Sequence, residues 1–339
     1  MKPVLWRGLF ALLLLALAPA YWTALRNPLA GTYHDDGIYL VTAKALATGQ
    51  GYRIISLPEP ILQTKYPPVY PWLLSLVWRV TPPFPRNVTA LLSVSCIASF
   101  LWMSAVYAVA RQERLSQGAT FFVIAISASS LWTLGLSTMA LSETTFAALC
   151  TGSLALLQRA EARRSRLLMT LSALLAGLGF LTRSAGIAIP VAALVWLLYK
   201  RRRRKALLFG TVAAAIVAPW LIWTGLHGDS TDWVSAYYSA QSYKINSIFF
   251  SFTLGQKANI IGANLLHFFL TPASLLNLAP GPSWLPGAVS GIFCMSFARS
   301  MVRDLGLLPI VFLTYAAVLA CACGGIGIRY AAPVFLLSC

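Results

Sequence analysis

Two adjacent carboxylates follow the first membrane-length apolar segment of the chain. They are Asp35 and Asp36, in the stretch Tyr33-His34-Asp35-Asp36, and the 339 residues include only nine Asp and Glu. An ionisable side chain at membrane depth is costly, so it indicates function. A carboxylate placed there can accept a proton from an attacking hydroxyl or hold a divalent cation. A structural interpretation, a helix N-cap beside a solvated neighbour, is equally open.

Four further ionisable residues are predicted to lie at the same membrane face. Glu143 comes near the outward end of the fourth apolar run, with no cation next to it in sequence. Lys65, Arg183 and Arg329 are basic residues on the outward side, where an anionic ligand such as a phosphate would explain them. Each of these cations could instead extend to lipid headgroups. His34 could join the two Asp residues at a metal ion.

Composition predicts a membrane protein. Hydrophobic residues make up 58% of the chain and charged residues 10%, whereas a soluble domain has about 25% charged residues. The net charge of +17 is concentrated in short breaks between apolar runs, so nucleic-acid binding is not expected. The six cysteines lie in apolar surroundings without metal-ligand spacing, which indicates membrane-core residues.

The apolar runs predict an all-α fold, a polytopic transmembrane helical bundle of about 9–10 spans with an extracytoplasmic first loop containing interfacial helices. The first run is expected to be a retained helix and not a cleaved signal peptide. A tenth run starts at Tyr330. The nine preceding candidates are Val4–Leu25, Val88–Ala110, Ala119–Leu136, Met139–Leu157, Leu167–Leu181, Ala185–Leu198, Ala206–Leu226, Pro286–Ala298 and Leu305–Cys323.

Charge distribution predicts the orientation. Sixteen of the 26 Lys and Arg residues lie in five short segments, 1–7, 111–117, 158–166, 199–205 and 299–304. Short basic loops stay in the cytoplasm, which places the N-terminus there and two long loops outside, residues 26–87 and 227–285. In the first loop, Asp36 to Thr48 and Trp72 to Val80 are predicted to be helices at the membrane surface. Residues 1–339 are expected to form one membrane domain.

Three stretches of the first loop form a recognisable pattern. They are His34-Asp-Asp-Gly-Ile-Tyr-Leu40, Ala45-Leu-Ala-Thr-Gly-Gln-Gly-Tyr52 and Lys65-Tyr-Pro-Pro-Val-Tyr-Pro-Trp-Leu-Leu74. Together they resemble the first loop of the C-superfamily (GT-C) membrane glycosyltransferases, which include protein O-mannosyltransferases and the lipid A aminoarabinose transferase. Weaker matches are Ser142-Glu143, Leu181-Thr-Arg183 and Arg329-Tyr330 with Pro333.

The resemblance implies transfer of a sugar from a polyprenyl-phosphate carrier, usually with inversion at the anomeric carbon. It implies that Asp35 is the base and that Lys65 and Arg329 contact the donor phosphate. Asp36 stands where the family often has Glu, and its implied role is to orient the acceptor or the loop. Arg183 is implied to contact the same phosphate, and the implied supporting residues are Glu143, His34, Tyr66 and Tyr330.

The expected partners are a polyprenyl-phosphate-linked sugar donor, membrane lipids and a periplasmic acceptor. The expected location is a bacterial inner membrane, and no cofactor beyond a possible divalent cation is expected. Members of the family continue well past the Arg-Tyr-x-x-Pro region, so the chain is expected to be C-terminally truncated. Two other classes stay open at this point, a transporter or flippase of a lipid-linked or anionic solute and a non-catalytic membrane scaffold.

Overall fold

The described part of the chain is a bundle of α-helices with one short β-hairpin. The structure, a computed structural model, describes residues 3–26, 28–81, 83–228, 252–275, 285–303 and 306–322. A 3₁₀ turn spans Ser184–Ile187. The helices are α1 Pro3–Arg26, α2 His34–Ala47, α3 Val69–Val80, α4 Val88–Gln112, α5 Gln117–Ser129, α6 Leu131–Ser137, α7 Glu143–Arg163, α8 Arg166–Phe180, α9 Ala188–Tyr199, α10 Arg203–His227, α11 Leu254–Leu275, α12 Leu285–Arg303 and α13 Leu307–Ala320.

Each of the nine predicted apolar runs overlaps one of these helices or a pair of them. By length and composition, α1 (from Gly8), α4 and α10 can each cross a membrane, and α5 with α6 form a fourth candidate that bends by 62°. Shorter apolar helices are α8, α13 and the segment Ser184–Tyr199. The prediction of a helical multi-pass membrane protein is confirmed, and the number of spans stays a prediction.

Helices α4, α7, α8 and α10 form the centre of the bundle, with α4 packed on α7, α7 on α8 and α8 on α10. Helices α4 and α7 run in the same direction. Near their starts, Thr144 Oγ1 donates to the Ser95 carbonyl at 3.0 Å, and near their ends Gln158 Nε2 donates to the side chain of Glu113. The bundle therefore has two distinct ends, one with the start of α7 and the other with its C-terminus.

Helices α2 and α3 pack on each other within the first loop. Eight of the 14 residues of α2 are buried, so the helix is enclosed on more than one side, and its predicted interfacial position stays a prediction. It ends at Ala47, and the turn that follows includes Gly49, whose φ of +75° suits glycine. A hairpin that the sequence analysis did not predict follows, with β1 Arg53–Ile54 antiparallel to β2 Ile61–Leu62.

Candidate functional site

The first turn of α2 buries Asp35. Its side chain is at the buried edge, 9% exposed, and Tyr66 Oη donates to Asp35 Oδ1 at 2.5 Å. Tyr66 reaches it from the segment between β2 and α3, 31 residues further along the chain. Asp35 is therefore an ordered, largely dehydrated carboxylate, and the interpretation of one member of the acid pair as a solvated neighbour is wrong for this residue.

Asp36 fixes the backbone at the start of α2. It is fully buried, and its Oδ1 accepts the Gly37 N–H at 2.7 Å while its Oδ2 accepts the Thr32 N–H at 3.0 Å. A side chain in the first turn that reaches back to the preceding backbone N–H groups stabilises a helix start. The predicted N-cap role is wrong for both Asp residues, because the N-cap of α2 is Tyr33, which has no side-chain cap hydrogen bond. Asp36 instead holds the backbone at Thr32 and Gly37, a contact that suits the loop-orienting role implied for it.

Lys65 lies beside the same carboxylate. The side chain is partly buried, with Nζ 5.6 Å from the centroid of the Tyr66 ring. Burial lowers the pKa of Lys65, because it disfavours the charged ammonium, and the nearby charge of Asp35 acts in the opposite direction. The fold therefore brings together a carboxylate and an ammonium group that are 30 positions apart in sequence.

Glu143 and Arg183 form a buried ion pair, with 2.9 Å between Arg183 Nη1 and Glu143 Oε1. The two side chains are 1% and 10% exposed. The same Nη1 donates to Ser142 Oγ at 3.1 Å. The sequence shows no cation next to Glu143, and the structure supplies one from the turn after α8.

The turn that carries Arg183 is held against two other elements. The Val69 N–H at the start of α3 donates to the Leu181 carbonyl at 2.9 Å. At Gly186 a Cβ would lie 2.7 Å from the Phe180 nitrogen, closer than any side chain permits, so the 3₁₀ turn folds back onto the end of α8 only with glycine there. These contacts direct Arg183 towards the start of α7.

Tyr39 joins the two charged groups, and the sequence analysis missed it. It lies on α2 one turn after Asp35, with its ring 5.1 Å from that of Tyr66. Its hydroxyl forms a 2.9 Å hydrogen bond with Ser142 Oγ, which also accepts from Arg183. Burial raises the pKa of Tyr39, so the hydroxyl stays protonated and serves as a neutral link. The only signal in the sequence was its position four residues after Asp35, on the same helix face.

Three further site residues were predicted from the sequence. Arg329 and Tyr330 lie outside the described residues. His34 occupies the exposed first position of α2. Among the residues that the structure describes, no three His, Cys, Asp or Glu side chains come together as a metal site requires, and the divalent cation stays a prediction.

The fold matches that of known membrane glycosyltransferases. Residues 65–223 match the family model described as dolichyl-phosphate-mannose-protein mannosyltransferase. The crystal structure of ArnT from Cupriavidus metallidurans bound to undecaprenyl phosphate superposes with a TM-score of 0.63 at 15% identity, covering 97% of this chain and 58% of that chain. The chain thus spans little more than half the length of that transferase. No curated protein sequence matches it.

A second solved structure is the oligosaccharyltransferase AglB from Archaeoglobus fulgidus, in complex with an inhibitory peptide and a dolichol-phosphate. It has a TM-score of 0.48 and 15% identity, and the match covers 95% of this chain and 50% of that one. The assignment of the fold rests on the ArnT match together with the family model. The protein has the polytopic helical fold of the C-superfamily membrane glycosyltransferases, which confirms the resemblance seen in the sequence.

Proposed function

We propose that the protein transfers a sugar from a polyprenyl-phosphate carrier to an acceptor hydroxyl at the periplasmic face of a bacterial inner membrane. The observation that supports this most directly is the cluster of the buried Asp35 with the partly buried Tyr66 and Lys65. It combines a carboxylate that can act as base with a cation suited to a phosphate leaving group. The solved ArnT structure contains undecaprenyl phosphate, a lipid of the proposed class.

In the proposed reaction the acceptor oxygen attacks the anomeric carbon while its proton passes to the Asp35 carboxylate. The bond between that carbon and the phosphate oxygen breaks, and its electron pair leaves with the phosphate. Lys65 stabilises the charge that develops there, together with Arg329. Asp35 is buried and Lys65 is partly buried, and this loss of water strengthens the electrostatic contacts of both side chains.

The buried pair Glu143–Arg183 is proposed to support the step by binding the donor phosphate through Arg183. A guanidinium has five N–H donors, so the contacts of Nη1 with Glu143 and Ser142 are compatible with a further contact to the donor phosphate. The acceptor hydroxyl is proposed to belong to a lipid, a glycan or a protein. His34 and Tyr330 keep their proposed supporting roles.

The test is a transfer assay with the purified chain in liposomes that contain a polyprenyl-phosphate sugar labelled in the sugar. We expect the label to become covalently attached to an added acceptor extract and the free polyprenyl phosphate to accumulate in equal amount. If the label crosses the bilayer still attached to its carrier and no covalent product forms, the protein is a flippase and the proposal is wrong.

A further inference from the structure

Gln63 is a buried amide directly after β2, and it contacts the segment that carries Lys65 and Tyr66. It is fully buried. Its Oε1 accepts the backbone N–H of Lys65 at 3.0 Å and that of Tyr66 at 3.1 Å. A single side-chain oxygen therefore holds the backbone of both residues. Lys65 carries the ammonium of the site, and Tyr66 donates to Asp35.

The remaining polar groups of Gln63 attach it to three other parts of the fold. Its Nε2 donates to Thr42 Oγ1 at 3.4 Å, on α2 two turns after Asp35. Its backbone N–H donates to the Tyr52 carbonyl at 2.9 Å, and its carbonyl accepts Trp223 Nε1 of α10 at 3.0 Å. The site segment is thus tied through one residue to α2, to the hairpin and to a membrane-length helix.

Tyr52 adds a second attachment of the same segment. Its hydroxyl donates to the Tyr66 carbonyl at 2.8 Å, so the Tyr66 backbone is held at both its N–H and its C=O. The Tyr66 hydroxyl then contacts Asp35. The chain of contacts from Gln63 to the carboxylate has two steps, and each step is a directional hydrogen bond.

We infer that Gln63 is a positioning residue of the site, which orients the Lys65–Tyr66 segment and, through Tyr66, the Asp35 carboxylate. The effect of Gln63 on turnover rests on the proposed function, whereas the effect of Gln63 on the geometry of Lys65 does not. Hydrogen bonds that hold reacting groups within about 1 Å of the productive position are worth about 100-fold in rate. Gln63 touches no reacting atom and acts only through its neighbours.

The test compares Gln63→Met, which keeps the length and removes the acceptor, with Gln63→Glu, which keeps the acceptor. Gln50→Ala is the control, because Gln50 is exposed and its side chain donates to the hydroxyl of Thr48. We expect turnover to fall about 100-fold in Gln63→Met, to be partly restored in Gln63→Glu and to be unchanged in Gln50→Ala. Equal loss in both Gln63 variants would overturn the inference.

A second readout needs no activity, namely the pH dependence of amine labelling at Lys65, followed by mass spectrometry. Release of the segment exposes the ammonium to water, so in Gln63→Met the pKa of Lys65 should rise towards that of an ordinary lysine. An unchanged labelling profile in Gln63→Met would overturn the inference whatever the turnover. If Gln63→Met does not fold, Thr42→Val replaces it, because this change removes the hydrogen bond from Gln63 Nε2. The labelling profile of Lys65 should then shift in the same direction by a smaller amount. No shift in Thr42→Val would also overturn the inference.

Discussion

The two ends of the helix bundle use charged residues in opposite ways. At the site end, near the start of α7, the charges of Asp35, Glu143 and Arg183 are buried or nearly so, and each has a directional partner. At the basic end, near the start of α10, Lys200 and the arginines that follow it are exposed for the most part. The site end thus has few charges with fixed geometry, and the basic end has many with little fixed geometry.

The difference indicates what each end does. Burying a charge is unfavourable unless the charge is paired and hydrogen-bonded, and at the site end each buried charge has such a partner. An arrangement of this kind suits a site whose charges must be held in position. Exposed cations cost little, and an excess of them on one side sets the orientation of the chain in the membrane. At the basic end Glu161 does pair with Lys205, but the Lys205 side chain is 30% exposed.

The largest expected effect is the loss of turnover on removing the proposed base. Asp35→Asn should lower kcat by about 100- to 10,000-fold, the range for general-base catalysis, since the amide cannot accept the proton. Glu59→Gln is the matched control, because Glu59 is an exposed carboxylate of the same loop. Steady-state transfer assays check both variants. If the Asp35→Asn protein kept full turnover, Asp35 would not be the base, and the buried charges of the site end would lose their proposed catalytic role.

The same substitution at the two ends should give different stabilities. Glu143→Gln leaves the Arg183 charge buried without its counter-ion, and the free energy of unfolding should fall by about 3 to 5 kcal/mol. Glu161→Gln breaks partly exposed contacts to Lys205 and Arg202, and the fall should stay below about 1 kcal/mol. Chemical denaturation in detergent measures both; equal losses would mean that burial does not separate the two ends.

Lys65 should give a pH-dependent affinity for the carrier phosphate. The ammonium binds phosphate only when protonated, so affinity should be full below the pKa of Lys65 and should fall as the pH rises through it. Because burial lowers the pKa of Lys65, this fall should come at a lower pH than for an exposed lysine. Calorimetric titration with a short-chain polyprenyl phosphate from neutral to alkaline pH measures it.

Two Lys65 variants and one control variant complete that experiment. Lys65→Arg keeps its charge at high pH, so the pH dependence should disappear. Lys65→Met should weaken binding by roughly 10- to 100-fold at neutral pH, as expected for one charge-assisted hydrogen bond. Lys44→Met changes an exposed lysine of α2 and should change nothing. A pH profile that Lys65→Arg leaves intact would assign the titration to another group.

Much of the fold followed from the sequence because apolar length and charge bias are local signals. The runs that became α4, α8 and α10 could be recognised from their own residues. The acid pair and Lys65 could be selected because ionisable residues are rare in so apolar a chain. The bend between α5 and α6 was not predicted, since Ser130 lies inside one continuous apolar run.

The contacts of the site could not be predicted, because they join distant parts of the chain. Arg183 and Glu143 are 40 positions apart, and the sequence around each residue contains no signal that indicates the other as its partner. Gln63 and Tyr39 have no local signal beyond being polar groups in apolar surroundings, and their importance follows only from the neighbours that the tertiary fold supplies. Which of the two Asp residues accepts backbone N–H groups at the start of α2 also depended on the fold of the residues before the helix.

The smallest expected effect concerns the basic end, where Arg114, Arg164 and Arg201 have left-handed backbones with φ of 62°, 52° and 56°. This conformation costs a non-glycine residue about 1 to 2 kcal/mol, and glycine avoids the cost but loses more entropy on folding. Arg164→Gly should therefore raise the free energy of unfolding by up to about 1 kcal/mol, whereas Arg164→Lys, which keeps the strain, should leave it unchanged. Denaturation curves of the two variants decide the matter. A loss of stability in Arg164→Gly would show that the guanidinium makes ordered contacts, and the basic end would then resemble the site end more closely than its exposure indicates.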